Sequence, residues 1–258
     1  MTNLIDLSGR TILITGAAQG IGQGVAELAL SLGASVAAMD VNGEHLRAWA
    51  ATQPADRVMT IEGSVADHDF VHASVRKIVE RFGDVNGLVN NAGIVRAAMI
   101  EKMTAQQWRD VVDVNMTGAF NCLQAVGAHM VARAQAGEKV NGSIVNVSSD
   151  AGRKGSVGQI NYSATKSALL GMTMSAAREW SKFGIRVNSI CFGVVETPMT
   201  ATIRGNEKFS VGLLQQIPMG RWSKTTESSP PICFMLSDAA SYVTGQHLSV
   251  NGGYHIGF

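Results

Sequence analysis

The sequence predicts an α/β protein built on a doubly wound parallel sheet of about seven strands with helices on both faces. Three observations carry that expectation. Short, continuously apolar, β-branched runs alternate with longer helical patterns almost from end to end, as strands buried on both faces do. A glycine-rich turn joins the first such run directly to the first helical stretch. No linker rich in Pro, Ser or charge, and no internal repeat, interrupts the 258 residues, a length ordinary for one α/β domain.

The elements follow in order. "TILIT" (11–15) reads as a buried strand and "GVAELALSLG" (24–33) as a helix closed by Gly33. "SVAAMD" (35–40) and "VMTIEG" (58–63) are the second and third strands. "VHASVRKIVERFG" (71–83) is an amphipathic helix, capped by Asp67, with His68 and His72 on its solvated face. "NGLVNNAG" (86–93) is a fourth strand with its turn. One long helix is expected from about Thr104 to Arg133, then a fifth strand at "GSIVNVSS" (142–149). A helix from about 161 to Lys182 leads to a sixth strand at "IRVNSI" (185–190), and "QHLSVNGG" (246–253) is a seventh. The stretch from Val194 to Thr226 breaks the alternation, as a substrate-covering insert would. Pro230 and Pro231 fit the first turn of a serine-capped helix.

Composition excludes several function classes. Apolar residues make up 46% and charged ones 16%, which suits a buried core rather than disorder. A net charge of +1 offers nothing to attract nucleic acid or an anionic membrane. Cys122, Cys191 and Cys233 are scattered without metal-ligand spacing and read as buried thiols. His68 and His72 lie one helical turn apart, but no further His or Cys joins them, so no catalytic metal is expected. No apolar run approaches the roughly 20 residues that span a bilayer, and a cytoplasmic enzyme is the expectation.

The first glycine turn carries chemistry. Gly16, Gly20 and Gly22 sit between strand and helix, where backbone can approach a pyrophosphate and amide dipoles favour the anion. Asp40 ends the second strand, 18 residues after Gly22. A carboxylate there accepts hydrogen bonds from ribose hydroxyls and repels a 2′-phosphate, and neither Gln19, Met39 nor Val41 offers a compensating cation. NAD(H) is therefore expected over NADP(H).

"NYSATKSALLG" (161–171) places Tyr162 and Lys166 one turn apart. They could form a surface pair, Ser163 and Lys166 could be an acylase dyad, or the ammonium could tune the phenol for acid/base work. The acylase needs a K-T-G triplet that "SKTTE" (223–227) does not supply.

With these residues the chain resembles the short-chain dehydrogenase/reductase family over essentially its whole length, and the resemblance implies a Rossmann-like fold. "TGAAQGIG" (15–22) looks like the cofactor turn, including Gln19 and Ile21, and "NNAG" (90–93), with Asn91, Ala92 and Gly93, like the motif that steadies the sheet beside the adenosine. Asn115, Ser149, Tyr162 and Lys166 stand in register with the family's catalytic residues, Ser149 lying 13 positions before Tyr162. The resemblance implies that a ketone and a secondary alcohol interconvert by hydride transfer. Tyr162 would be the acid/base, its pKa lowered by Lys166, which also holds the ribose. Ser149 would orient the substrate oxygen and Asn115 would hold a relay water. Gly193, Val195 and Thr197 would meet the carboxamide or pyrophosphate, with Phe192 in place of the family's proline. Ser64 stands where the family often has an Asp facing adenine, beside Val65.

"GQINYSATKSALLGMT", "GVVETPMT", "LQQIPMGRW" and "VTGQHLSVNGG" look like segments of β-ketoacyl thioester reductases. Those enzymes usually take NADPH, whereas Asp40 argues for NADH. Arg153, Lys154 and Lys182 are loose candidates for acyl-carrier docking. NAD-dependent sugar, polyol or cyclic-alcohol dehydrogenation is the alternative, and a catalytically silent nucleotide-binding scaffold is the reading from another class. Substrate residues would include Met199 and Ile203. The resemblance also implies a homotetramer, with Ala164, Ser167, Ala168 and Gly171 allowing close helix approach.

Overall fold

The computed structural model describes residues 3–257. Strands β1 (Thr11–Thr15), β2 (Ser35–Asp40), β3 (Val58–Glu62), β4 (Gly87–Asn90), β5 (Gly142–Ser149), β6 (Ile185–Phe192) and β7 (His247–Val250) form one sheet in the order β3-β2-β1-β4-β5-β6-β7. Every pairing is parallel. The chain starts at the middle, winds outward to β3, and returns to lay β4 on the other side of β1. The strand order therefore reverses between β1 and β4, where ligands bind beyond the carboxyl ends of such sheets.

Alternation along the strands feeds two cores, one on each face. Ile12 and Ile14 pack with Val36, Val145 and Ile190 under α1 (Gly20–Ser31), while Leu13 between them joins Met39, Leu88 and Ile144 on the opposite face. The first face is closed by α2 (Gly43–Ala50), through Leu46 and Trp49, and by α10 (Thr225–Leu236). The second is covered by α3 (His68–Phe82), α5 (Gly118–Gln135) and α7 (Ile160–Trp180). All three cysteines are buried and free. Burial pushes the thiols of Cys122 and Cys233 up to about 12, so both are inert packing groups.

Several expectations need correction. The helical stretch expected over 104–133 runs unbroken over 105–135 but changes its ladder partway, as α4 (Ala105–Val112), a π-helical turn at Asp113–Thr117 and α5. The sixth strand continues to Phe192, which is buried, because a residue with an N–H and free φ can extend the ladder where proline could not. The helix α2 was not expected; it is only eight residues long, with Asn42 accepting from the backbone N–H of His45 at 3.1 Å. Pro230 and Pro231 lie inside α10 rather than in its first turn. The helix starts earlier because Glu227 folds back to accept from the backbone N–H of Lys224 at 2.9 Å. Asp67 caps α3 through Phe70 N at 2.9 Å. His68 is exposed, and half-buried His72 stacks on it with ring centroids 4.3 Å apart, its Nε2 turned inward. The segment after β6 contains α8 (Ala201–Arg204) and α9 (Glu207–Leu214), and the four-residue α6 (Ala151–Lys154) follows β5.

Candidate active site

A cleft of about 310 Å³ opens at the switch point, at the carboxyl ends of the central strands. Its floor is the turn after β1. Gly16 and Gly20 have φ of 66° and 61°, values that favour glycine. Ideal Cβ atoms at positions 16 and 22 would fall 2.9 Å from Ala92 Cα and 2.1 Å from Gly16 O. The turn is therefore bare backbone leading into the amino end of α1, and it fits a dinucleotide pyrophosphate. Gly22→Ala is expected to displace this turn, lowering the melting temperature by the equivalent of about 1–3 kcal/mol and weakening cofactor binding at least about tenfold; calorimetry and fluorescence titration read the two effects.

The remaining cofactor candidates surround the same space. Gln19, Gly20, Ile21, Asp40, Ser64 and Val65 line one end of the cleft, and Asn91, Ala92, Gly93, Gly193, Val195 and Thr197 the rest. Gly22 packs beneath the turn instead of lining it. The Asp40 carboxylate accepts from Ala18 N at 3.0 Å and Asn42 N at 2.9 Å, which fixes it at the cleft edge with lone pairs to spare. Ser64 Oγ accepts from Ala66 N, capping its own turn. Asn91 donates to the carbonyls of Thr15 and Gly16 at 2.9 and 3.1 Å, tying the "NNAG" turn to the glycine turn. Thr197 closes over Gly20, where an added Cβ would lie 3.3 Å from the threonine methyl.

At the other end Ser149, Tyr162 and Lys166 converge from β5 and α7. Lys166 is 4% exposed, and its Nζ donates to Val147 O at 2.7 Å. Burial pulls its pKa from 10.5 to about 8. Burial also pushes the Tyr162 phenol above its usual value, while the Ser149 hydroxyl acts in the opposite sense. Lys166 Nζ lies 5.6 Å from the Tyr162 ring centroid.

Asn115 lies in the π-helical turn and is 1% exposed. Its Oδ1 accepts from Ile94 N at 2.8 Å and its Nδ2 donates to Ile94 O at 3.0 Å. Asn115 and Lys166 flank Gly93, whose absent Cβ would lie 3.4 Å from Asn115 Oδ1 and 3.7 Å from Lys166 Nζ.

Some residues of the site escaped the sequence reading. Thr15 accepts from both Asn91 N and Ala92 N at 3.0 Å; its only sequence signal is a hydroxyl immediately before the first glycine. Met39, Val41, Ile94, Val147 and Thr200 line the cleft as well, beside Met199, which the sequence had already marked as a substrate residue. The basic candidates for carrier docking turn to their own chain: Arg153 donates to Ser249 Oγ at 2.6 Å, Lys154 Nζ stands 3.0 Å from the Tyr254 ring centroid, and Lys182 Nζ 5.0 Å from that of Phe183. Among the described residues no three His, Cys, Asp or Glu side chains gather to hold a metal ion, and no helix is long and apolar enough to cross a membrane.

A sheet wound in this order, opening at its reversal onto a glycine cradle, a cleft-lining phenol and a buried ammonium, places the chain in the class of dinucleotide-using oxidoreductases. Known proteins narrow the class. A family model described as enoyl-(acyl carrier protein) reductase matches residues 16–255. The 3-oxoacyl-[acyl-carrier-protein] reductase FabG of Thermotoga maritima is 41% identical over 249 residues, covering 96% of this chain and 98% of that protein. Acetoacetyl-CoA reductase of Paracoccus denitrificans is 39% identical over 246 residues, 95% of this chain and 98% of that one. A crystal structure from Brucella melitensis, described as a short-chain dehydrogenase/reductase and glucose/ribitol dehydrogenase, has a TM-score of 0.90 at 32% identity and covers 98% of this chain and 99% of its own. The chain belongs to the short-chain dehydrogenase/reductase family, and is an oxidoreductase of CH–OH and C=O groups.

Proposed function

We propose that the protein reduces the ketone of a 3-oxoacyl thioester to a secondary alcohol, using NADH. One observation carries the chemistry: Ser149, Tyr162 and Lys166 line the same cleft as the glycine turn. The thioester is supported by the two reductases named above, each covered by this chain almost throughout.

Bound nicotinamide supplies the hydride. Tyr162 Oη gives a proton to the ketone oxygen, and Ser149 Oγ donates a hydrogen bond that orients that oxygen. Lys166 holds ribose hydroxyls and, with its positive charge, favours the phenolate once the proton has left. Asn115 steadies Ile94 at the cleft wall; the relay water assigned to it belongs to this same proposal. The segment from Val194 to Thr226 covers the substrate. The glycine turn, Asp40, Asn91, Gly193, Val195 and Thr197 hold the dinucleotide. The tetramer and the cytoplasmic setting remain part of the proposal; Ala164, Ser167 and Gly171 are exposed on α7, as close helix approach requires.

The preference for NAD(H) rests on Asp40 at the cleft edge, with no cation among the cleft-lining residues beside it. Asp40→Ser is expected to lower the NADH-to-NADPH ratio of kcat/KM by about 10- to 100-fold, since each tenfold is about 1.4 kcal/mol and the carboxylate repels a 2′-phosphate. Steady-state kinetics with both cofactors measures it; an unchanged ratio removes Asp40 as the selector.

The same residues favour one second reading. An NAD preference suits oxidation of a sugar, polyol or secondary alcohol, and the structural neighbour described as glucose/ribitol dehydrogenase supports it. Nicotinamide absorbance in two mixtures separates the readings: NADH or NADPH with an acetoacetyl thioester, and NAD with a panel of sugars, polyols and secondary alcohols. Thioester-dependent NADH oxidation is expected. Turnover only in the alcohol panel would replace the proposal with the second reading.

A further inference from the structure

We propose that Asn161 is the positioning residue for Tyr162, its side-chain amide fastening the first turn of α7 to the loop after β4 and to α4. The inference rests on the acid/base reading of Tyr162 given above.

Asn161 is fully buried, at 0% exposure, and does not line the cleft. Its Nδ2 donates to Arg96 O and to Gln107 O, both at 3.0 Å, and its Oδ1 accepts from Tyr162 N at 2.8 Å. Both donors and the acceptor are thus engaged. A carboxamide is the group that fits: a carboxylate cannot donate, and a serine hydroxyl donates once. The Tyr162 N–H belongs to the first turn of a helix, where no intrahelical acceptor exists. Asn161 meets that need and in doing so fixes the backbone from which the phenol projects.

The two carbonyls on the far side matter as much. Arg96 stands two residues past Ile94, whose N–H and C=O are held by Asn115. Two buried carboxamides, from the π-helical turn and from α7, therefore grip one three-residue loop from opposite ends. A backbone bond from Ala98 N to Gly158 O at 2.9 Å ties the same loop again just before α7. Asn161 in this way sets the phenol relative to Ile94 and Asn115, while the rest of α7 sets Lys166. Without it, Arg96 O and Gln107 O lose a side-chain donor and the first turn of α7 is free to shift. A displacement of about 1 Å at a reacting group can lower a rate by about 100-fold.

The test uses the full chain with NAD(H) and compares Asn161→Ala, Asn161→Ser and Tyr162→Phe. Asn161→Ala is expected to lower kcat about 10- to 100-fold, with the dissociation constant of NADH, read by fluorescence, within about twofold because the cofactor cradle lies elsewhere. Asn161→Ser, which keeps one donor, should fall between it and the parent, and it carries the comparison if the alanine variant does not fold. The decisive readout is Tyr162 itself. The chain has only three tyrosines, so in a Tyr242→Phe/Tyr254→Phe background tyrosinate absorbance reports one phenol. Its midpoint in the NAD complex, and that of the pH profile of kcat, should move by more than about half a pH unit. Parent-like turnover, or activity that falls only with the folded fraction while both midpoints stay put, would overturn the positioning role. Substantial turnover in Tyr162→Phe would instead remove the acid/base reading beneath it.

Discussion

Replacing Tyr162 with phenylalanine is expected to reduce turnover by about three orders of magnitude, within the range that positioned acid/base groups contribute. The change deletes one oxygen and leaves the ring, so packing along α7 is preserved. NADH affinity should stay within about twofold, because the glycine turn, Asp40 and Lys166 are untouched. Stopped-flow kinetics and fluorescence titration on the same preparation measure both. Loss of turnover with binding retained supports proton transfer at Tyr162. Unchanged turnover would move the proton to another group, and absence of any reaction sensitive to this change would favour the nucleotide-binding scaffold.

Lys166→Met should uncouple stability from activity. The ammonium is 4% exposed, and the fall of its pKa from 10.5 to about 8 marks a charged form that folding disfavours by about 3 kcal/mol. Methionine removes that penalty but leaves Val147 O without its donor, a loss of about 1–3 kcal/mol. The cofactor-free variant is therefore expected to melt at or above the parent temperature while turnover falls by at least about 100-fold. The pH dependence discriminates further. Between about 8 and 10.5 the unfolded chain still binds the proton that the native state has released, so parental stability rises with pH across that window. The methionine variant lacks this contribution. Parallel stability curves for the two proteins would mean that Lys166 is not desolvated in solution.

The parts of this molecule legible in the sequence are those fixed by neighbours in the chain. β1, β2 and β5 occupy 11–15, 35–40 and 142–149, because apolar β-branched runs bounded by glycine or polar turns declare strands locally. Seven parallel strands follow from their alternation with helices. Gly16, Asp40, Tyr162 and Lys166, which line the cleft, were readable from local spacing, and Ser149 through the family resemblance. What stayed hidden depends on distant partners. Asn161 reads as an ordinary polar residue before a tyrosine until Arg96 and Gln107, 65 and 54 positions away, arrive beside it. Thr15 gains its role only from Asn91 and Ala92. The π-helical turn cannot be seen in a periodicity that looks continuous, because the grip of Asn115 on Ile94 accompanies a change in the backbone ladder that composition does not record.

That wide turn has a consequence for how the molecule tolerates change. A π turn is an α-helix carrying one surplus residue, taken up within a single loop of the ladder. Downstream, Cys122, Val126 and Met130 still face the sheet, so the surplus has not thrown the apolar stripe out of phase. The lodged residue lets a polar amide face inward without rotating either flanking helix. The junction thus works as a slack link: one extra residue is absorbed there while the rods on both sides keep their seating.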